Sequence, residues 1–187
     1  MSDDALSQTK VHIGCGKRDF GKEWYHIDGS DYPHIRSHDI TKLPFEDDSL
    51  DLIYASHVLE YFDREEVINV LNEWKRCLKN GGTLRLAVPN FEAMANLYIT
   101  QNVSLDRFIG PIFGKWQMTP TECIYHKTVY DYESLEGILD KVGFKNARLW
   151  DWRKTEHSHF DDYSQAYIPH LDKDNGVLIS LNMEAQK

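Results

Sequence analysis

Short apolar runs alternate with glycine- and acid-rich turns through the first half of the chain. Val11–Cys15 reads as a buried strand ending in glycine. Tyr25–Asp28 and Ile35–Ile40 read as a second strand and a weaker third, and Leu50–Ser56 as a fourth behind the acidic turn Glu46-Asp47-Asp48. The period then changes. Val67, Val70, Leu71, Trp74 and Leu78 recur at i, i+3, i+4, i+7 and i+11, one face of a helix, with Asp63 and Glu66 spaced as a capping box and Gly81-Gly82 as the stop. Thr83–Val88 is a fifth strand, and Pro89-Asn90 turns into a helix from about Phe91. Between 100 and 127, Pro111, Gly114 and Pro120 interrupt every period, which predicts a loop or lid with room for a short helix. Tyr132–Val142 is helical, with Leu135, Ile138, Leu139 and Val142 on one side, Asp131 as cap and Gly143 as stop; Ala147–Trp152 and Val177–Met183 are the last two strands. Strand–helix alternation predicts an α/β fold with a mostly parallel sheet covered on both faces. In such sheets ligands bind outside the carboxyl ends of the strands, so the residues after each strand are the ones to inspect.

Length and charge narrow the partners. A chain of 187 residues without repeats or linkers is expected to be a single domain over 1–187, with the polar residues 1–9 flexible. Its net charge of −9 opposes phosphate-rich partners, so neither nucleic acid nor an anionic membrane surface is expected, and no apolar run approaches the ~20 residues of a membrane span. Cys15, Cys77 and Cys123 are odd in number and widely spaced, which argues against disulfides or a zinc ribbon and for reduced thiols in a cytoplasmic protein. Cys77 falls on the apolar face of its helix, as core filler. A small-molecule ligand fits this picture best.

The most informative turn is Ile13-Gly14-Cys15-Gly16, just past the first strand. Two glycines allow a sharp turn and a close approach to a ligand, although a Gly-x-Gly alone is also an ordinary tight turn. A dinucleotide site wants a third glycine three residues later, a helix, and an acid about twenty residues on. Here the third position is Asp19, too few residues remain for a helix, and Asp28 follows Gly16 by 12. The turn suits a nucleoside without a pyrophosphate. Asp28, beside Gly29, can accept from both hydroxyls of a ribose, or it is a strand-end turn residue. Asp39 can accept from an adenine amino group, or cap a turn. Backbone carbonyls at Ser56-His57 can receive an ammonium.

These residues resemble the class I S-adenosylmethionine-dependent methyltransferases, and within them the small group found beside sugar and cell-surface biosynthesis enzymes. The match lies in Val11–Gly16, in Leu43–Glu60 and in Leu78–Asn90, supported by a late helix over Leu135–Phe144. The resemblance implies a Rossmann-like seven-stranded sheet with the last strand antiparallel. It implies S-adenosylmethionine as cofactor, S-adenosylhomocysteine as product, and a small-molecule acceptor, such as a sugar or nucleotide-sugar derivative. Gly14 and Gly16, with Ile13 and Cys15, would pass under the methionine part. Asp28 and Gly29 would hold the ribose, Asp39 and Ile40 would flank the adenine, and Ser56 and His57 would lie near the amino group. Two features depart from the pattern: the helix after the glycine turn is shortened or absent, and Tyr61 stands where the family usually has histidine.

Methyl transfer is an in-line displacement in which the protein supplies alignment and, for a hydroxyl or amine acceptor, a base. His57 and His126 are the candidate bases, each alternatively a structural histidine. Trp116, Tyr125, His126 and Tyr130 are candidates for an acceptor wall, or else packing residues, within an acceptor-side insertion or lid over 91–130. His157-x-His159-x-Asp161-Asp162 has a metal-like spacing but reads as polar loop, and no metal is expected. A monomer or homodimer is expected. A cofactor-binding module without transferase activity is the competing function; a nicotinamide oxidoreductase is disfavoured by Asp19 and the missing helix.

Overall fold

The computed structural model describes residues 9–119 and 121–187; most of the segment expected to be flexible lies outside them. In chain order the strands are β1 (Lys10–Ile13), β2 (Trp24–Ile27), β3 (Ile35–Ser37), β4 (Leu50–Ser56), β5 (Leu78–Pro89), β6 (Trp116–Thr119), β7 (Glu122–Ile124), β8 (Lys145–Leu149), β9 (Tyr167–Ile168), β10 (Val177–Leu178) and β11 (Ser180–Gln186). The helices are α1 (Glu66–Cys77), α2 (Phe91–Gln101), α3 (Asp106–Phe113) and α4 (Tyr132–Val142). Seven strands form one sheet in the order β3-β2-β1-β4-β5-β11-β8. β11 runs antiparallel to both of its neighbours, and the first five strands pair in parallel. This is the α/β, Rossmann-like arrangement expected. Residues 14–23, between β1 and β2, contain turns and no helix.

The two faces of the sheet are built differently. Val11, Ile13, Ile27, Ile53, Leu84, Leu86 and Met183 lie on one face and pack with the apolar sides of α1 and α4, including Val67, Leu71, Trp74, Leu135 and Leu139. Burying side chains of this size stabilises by roughly 1.5–3 kcal/mol each. The opposite face carries His12, His26, Tyr54, Arg85 and Glu184, because these alternate with the apolar set along paired strands. Here irregular chain takes the place of helices. Phe20 stacks between His12 and His157, with centroids 4.0 and 4.7 Å away. Tyr54 donates to Asp162 Oδ2, Asn182 Nδ2 donates to the Ser164 carbonyl, and Glu184 pairs with Arg85 and Arg148. His157 is thus an aromatic-layer residue, and burial holds its ring neutral.

Several boundaries differ from the sequence expectation. α1 ends at Cys77 rather than at Gly81-Gly82, because backbone N–H groups of Asp48 and Ser49 capture the carbonyls of Arg76 and Cys77 and Leu78 turns extended to pair with Leu50. The two glycines instead lie inside a longer β5, at a register shift beside Leu50. The capping box does form: Asp63 Oδ1 accepts from the Glu66 N–H and Glu66 Oε2 accepts from the Asp63 N–H. β3 stops at Ser37, short of Ile40. The segment expected as loop holds α3, with Pro111 inside it, and a β6–β7 hairpin. The final strand is split at Ile179 into β10 and β11.

Candidate active site

The carboxyl ends of β1, β2 and β4 open onto a cavity of about 500 Å³, within the usual span for small-ligand sites. Its floor is the glycine turn. Gly14 has φ +68° and Gly16 φ +53°, the left-handed region in which a Cβ is disfavoured. A Cβ on Gly14 would overlap Val58 Cγ2, whereas one on Gly16 would meet nothing nearer than Arg18 Nη1 at 4.0 Å. Gly16 therefore offers open space to whatever enters.

Asp28 ties β2 to this turn. Its Oδ2 accepts from the Gly16 N–H and its Oδ1 from the Ser30 N–H, both at 2.7 Å. An ionised carboxylate has about four acceptor positions, so two remain for a ligand diol. Gly29, His38 and Ile40 continue the wall beyond β2 and β3. Asp39 does not reach it. Its Oδ1 accepts from the Thr41 N–H, the Thr41 hydroxyl and the Lys42 N–H, and the Thr41 hydroxyl bond is the main cause of its lowered pKa. The carboxylate expected beside an adenine is committed to its own turn. Ile13 and Cys15 are fully buried and also lie off the wall; only their backbone runs beneath it.

Ser56 and His57, at the end of β4, form the next wall. His57 has φ +55°, a conformation uncommon for any residue but glycine. Its Nδ1 stands 3.2 Å from Glu60 Oε1 and its Nε2 3.3 Å from Ser180 Oγ. The far wall comes from α3 and the hairpin: Pro111, Gly114, Lys115, Trp116, Met118, Ile124 and His126. His126 Nδ1 donates to the Pro111 carbonyl at 3.0 Å, which leaves Nε2 facing Glu60 Oε1 at 3.7 Å. Burial is the main cause of the lowered His126 pKa. Gly114, at φ +47°, is pressed against that ring so closely that a Cβ there would overlap it.

Of the expected acceptor wall, then, Trp116 and His126 line the cavity, while Tyr130 and Tyr125 do not. Tyr130 is 2% exposed and packed in the apolar core, where its backbone bridges Asn90, and Tyr125 points outward from the hairpin. Sequence reasoning missed Arg18, His38, Met118 and Tyr163 on the wall, and Glu60 behind it. Only Glu60 carries a sequence signal, an acid inside the apolar run Val58-Leu59-Glu60-Tyr61-Phe62. Among the described residues no group of three or more His, Cys, Asp or Glu side chains is arranged to hold a metal ion, and no helix is long and apolar enough to cross a membrane.

Comparison with known proteins agrees with this geometry. Residues 9–86, which carry the glycine turn, Asp28 and the end of β4, match the family described as a methyltransferase domain. No curated protein matches the sequence. Among solved structures, a SAM-dependent methyltransferase from Archaeoglobus fulgidus is similar at 17% identity and TM-score 0.58, over 96% of this chain and 86% of that one. One from Methanosarcina mazei is similar at 18% and 0.57, over 97% and 93%. A third likeness, at 17% and 0.53 over 96% and 82%, comes from a complex between the Haloferax volcanii Trm112 methyltransferase activator and the putative methyltransferase. Residues 9–86 are thus similar to a methyltransferase domain, and the chain as a whole has the fold of solved SAM-dependent methyltransferases.

Proposed function

We propose that the protein transfers a methyl group to a small-molecule acceptor bearing an O–H or N–H, of which sugar and nucleotide-sugar derivatives are the class its sequence resemblance favours. The observation that carries this reading is one cavity joining the Gly14–Gly16 turn and Asp28 to two imidazoles and the Trp116 face. S-adenosylmethionine fits the first half: open space over Gly16, spare acceptor positions on Asp28, and the apolar side of Ile40. When bound it supplies an already activated methyl group, so alignment and exclusion of water are the protein's main tasks. Asp28 holds the ribose diol. The α3–hairpin wall orients the acceptor, with Trp116 as a stacking surface.

His57 and His126 are the two candidate bases on the wall. Both ring nitrogens of His126 are directed into the protein, one at Pro111 and the other at Glu60. His57 Nδ1 faces Glu60 as well, and its Nε2 lies 3.3 Å from Ser180 Oγ, whose hydroxyl donates to Asn182 Oδ1. Calorimetry with S-adenosylhomocysteine is the direct test, alongside a labelled-methyl assay over a panel of hydroxylated and amino sugars. Binding is expected, and Asp28→Ala should weaken it at least tenfold. Absence of binding would refute the reading; binding without transfer to any acceptor would favour a binding module instead.

A further inference from the structure

Arg18 is a cation on the cavity wall without an anion. Its backbone N–H donates to the Cys15 carbonyl at 3.0 Å, so the residue is built into the same turn as Gly16. Its Nη1 is the nearest atom, at 4.0 Å, to the place that a Cβ on Gly16 would occupy. Asp28 meets the same glycine from β2, yet its carboxylate is engaged by the N–H groups of Gly16 and Ser30. The Arg18 side chain donates from Nε to the Asp161 carbonyl at 2.8 Å; among the described residues neither Nη group has a partner, and no carboxylate pairs with the guanidinium. The chain has 30 acidic residues against 21 Lys and Arg, so a missing partner is not a matter of short supply.

The guanidinium is nevertheless held in place. The Nε bond fixes one edge, and its carbon stands 5.5 Å from the centre of the Tyr163 ring, within cation–π range. Both contacts come from one anchored corner. Asp162, between Asp161 and Tyr163, is buried; it accepts from the Tyr54 hydroxyl and from the Ser164 N–H, and so caps the short 3-10 turn that carries Tyr163. Asp161 is itself tied to Lys173 at 3.0 Å. A guanidinium fixed at Nε and on one face has its two Nη groups left as a planar fork, the shape that matches a carboxylate bidentately.

We propose that Arg18 is a carboxylate-binding residue: its two Nη groups take the aminoacyl carboxylate of S-adenosylmethionine, and Tyr163 is the positioning residue that holds the guanidinium beside Gly16. This rests on the reading of the cavity as an S-adenosylmethionine site. The anion is assigned to the cofactor because Nη1 stands by the glycine turn, whereas the α3–hairpin wall has a cation of its own, Lys115. The consequence is selectivity. A site whose donors are built to meet a polar group rejects the analogue that lacks it, because the donors are then left unpaired.

Calorimetry on the full-length protein compares S-adenosylhomocysteine with decarboxylated S-adenosylhomocysteine, which keeps the ammonium and the nucleoside. Wild type should prefer the first by about tenfold or more, as expected for hydrogen bonds between charged groups. Arg18→Gln should lose that preference by weakening S-adenosylhomocysteine alone, and Arg18→Lys, a point charge without the fork, should keep only part of it. Tyr163→Leu should lower the preference, and Tyr163→Phe, which keeps the ring, should restore it. Should Arg18→Gln not fold, wild type and Arg18→Lys decide. Equal affinities for the two ligands in wild type, or a loss in Arg18→Gln that falls equally on both, would overturn the carboxylate site while the cofactor reading stands. Full preference in Tyr163→Leu would overturn the role of Tyr163. Binding of neither ligand by wild type would refute the cofactor reading, and the proposal with it.

Discussion

Gly14→Ala is the sharpest probe of how the floor of the cavity is built. Two costs add. An L-residue at φ +68° bears roughly 1–2 kcal/mol of backbone strain. The new methyl also overlaps Val58 Cγ2, and Val58 cannot easily retreat, being β-branched, stiff at χ1 and 5% exposed. Overpacking of this kind costs about 1–3 kcal/mol. The sum is about 2–5 kcal/mol, a large part of the ~5–15 kcal/mol that holds a domain folded. Urea denaturation of wild type, Gly14→Ala, Val58→Ala and the double variant separates the two costs. In the Val58→Ala background the overlap is gone, so Gly14→Ala should cost only the backbone share, and the coupling between the sites should be about 1–3 kcal/mol. A cost below about 1 kcal/mol for Gly14→Ala, or no coupling to Val58, would refute the account of the turn.

The remaining expectations concern acid, thiols and the far wall. Burial holds His12 well below the ordinary histidine pKa and brings His26 and His157 to about 4, whereas all three titrate near 6.5 once unfolded. Between those values the unfolded chain binds more protons, so the stability these rings supply is whole above pH 6.5 and is lost as pH falls towards 4. Urea midpoints should drop steeply over that window and less steeply in His12→Phe; equal slopes would refute the assignment. Burial, helped by Asp28, pushes the Cys15 thiol up to about 12, and burial pushes Cys77 up to about 11, while Cys123 is half-exposed. Ellman's reagent at pH 8 should therefore titrate one thiol quickly in the native protein and three in urea. Gly114→Ala should displace the His126 ring and cut methyl transfer more than tenfold with little change in S-adenosylhomocysteine affinity; equal losses in both would mean that the wall also shapes the cofactor half.

The parts of the fold legible in the sequence are those where one local signal points one way. α4 is bounded by Asp131 and Gly143 as its spacing predicts, because cap, apolar stripe and left-handed stop agree. β4 is likewise bracketed by turn chemistry and runs from Leu50 to Ser56 as expected. The errors arise where distant chain decides. α1 stops at Cys77 because Asp48 and Ser49, some thirty residues earlier, capture its last carbonyls. Trp116–Thr119 and Glu122–Ile124 pair as a hairpin although proline and glycine blur every period there. On the cavity wall, Gly14, Gly16, Asp28 and Ser56 could be read because each lies at or just past the end of a strand. Asp39 follows a strand too, but its hydroxyl neighbour Thr41 takes its side chain into the turn. Arg18 and Tyr163 join the wall through contacts across the chain, such as Arg18 Nε on the Asp161 carbonyl, which no spacing reveals.

The irregular cover over the polar face of the sheet has a kinetic consequence. In place of a local helix after β1, the glycine turn is backed by Phe20 against His157, Arg18 against Asp161 and, one strand away, Tyr54 against Asp162. These partners lie 137, 143 and 108 residues apart along the chain. Contacts closed over such distances form late, since a long loop must be ordered before it is rewarded. The glycine-turn floor of the cavity is therefore among the last parts to set, and a nascent chain in which the residues after β8 are not yet free should have most of its sheet but not this floor.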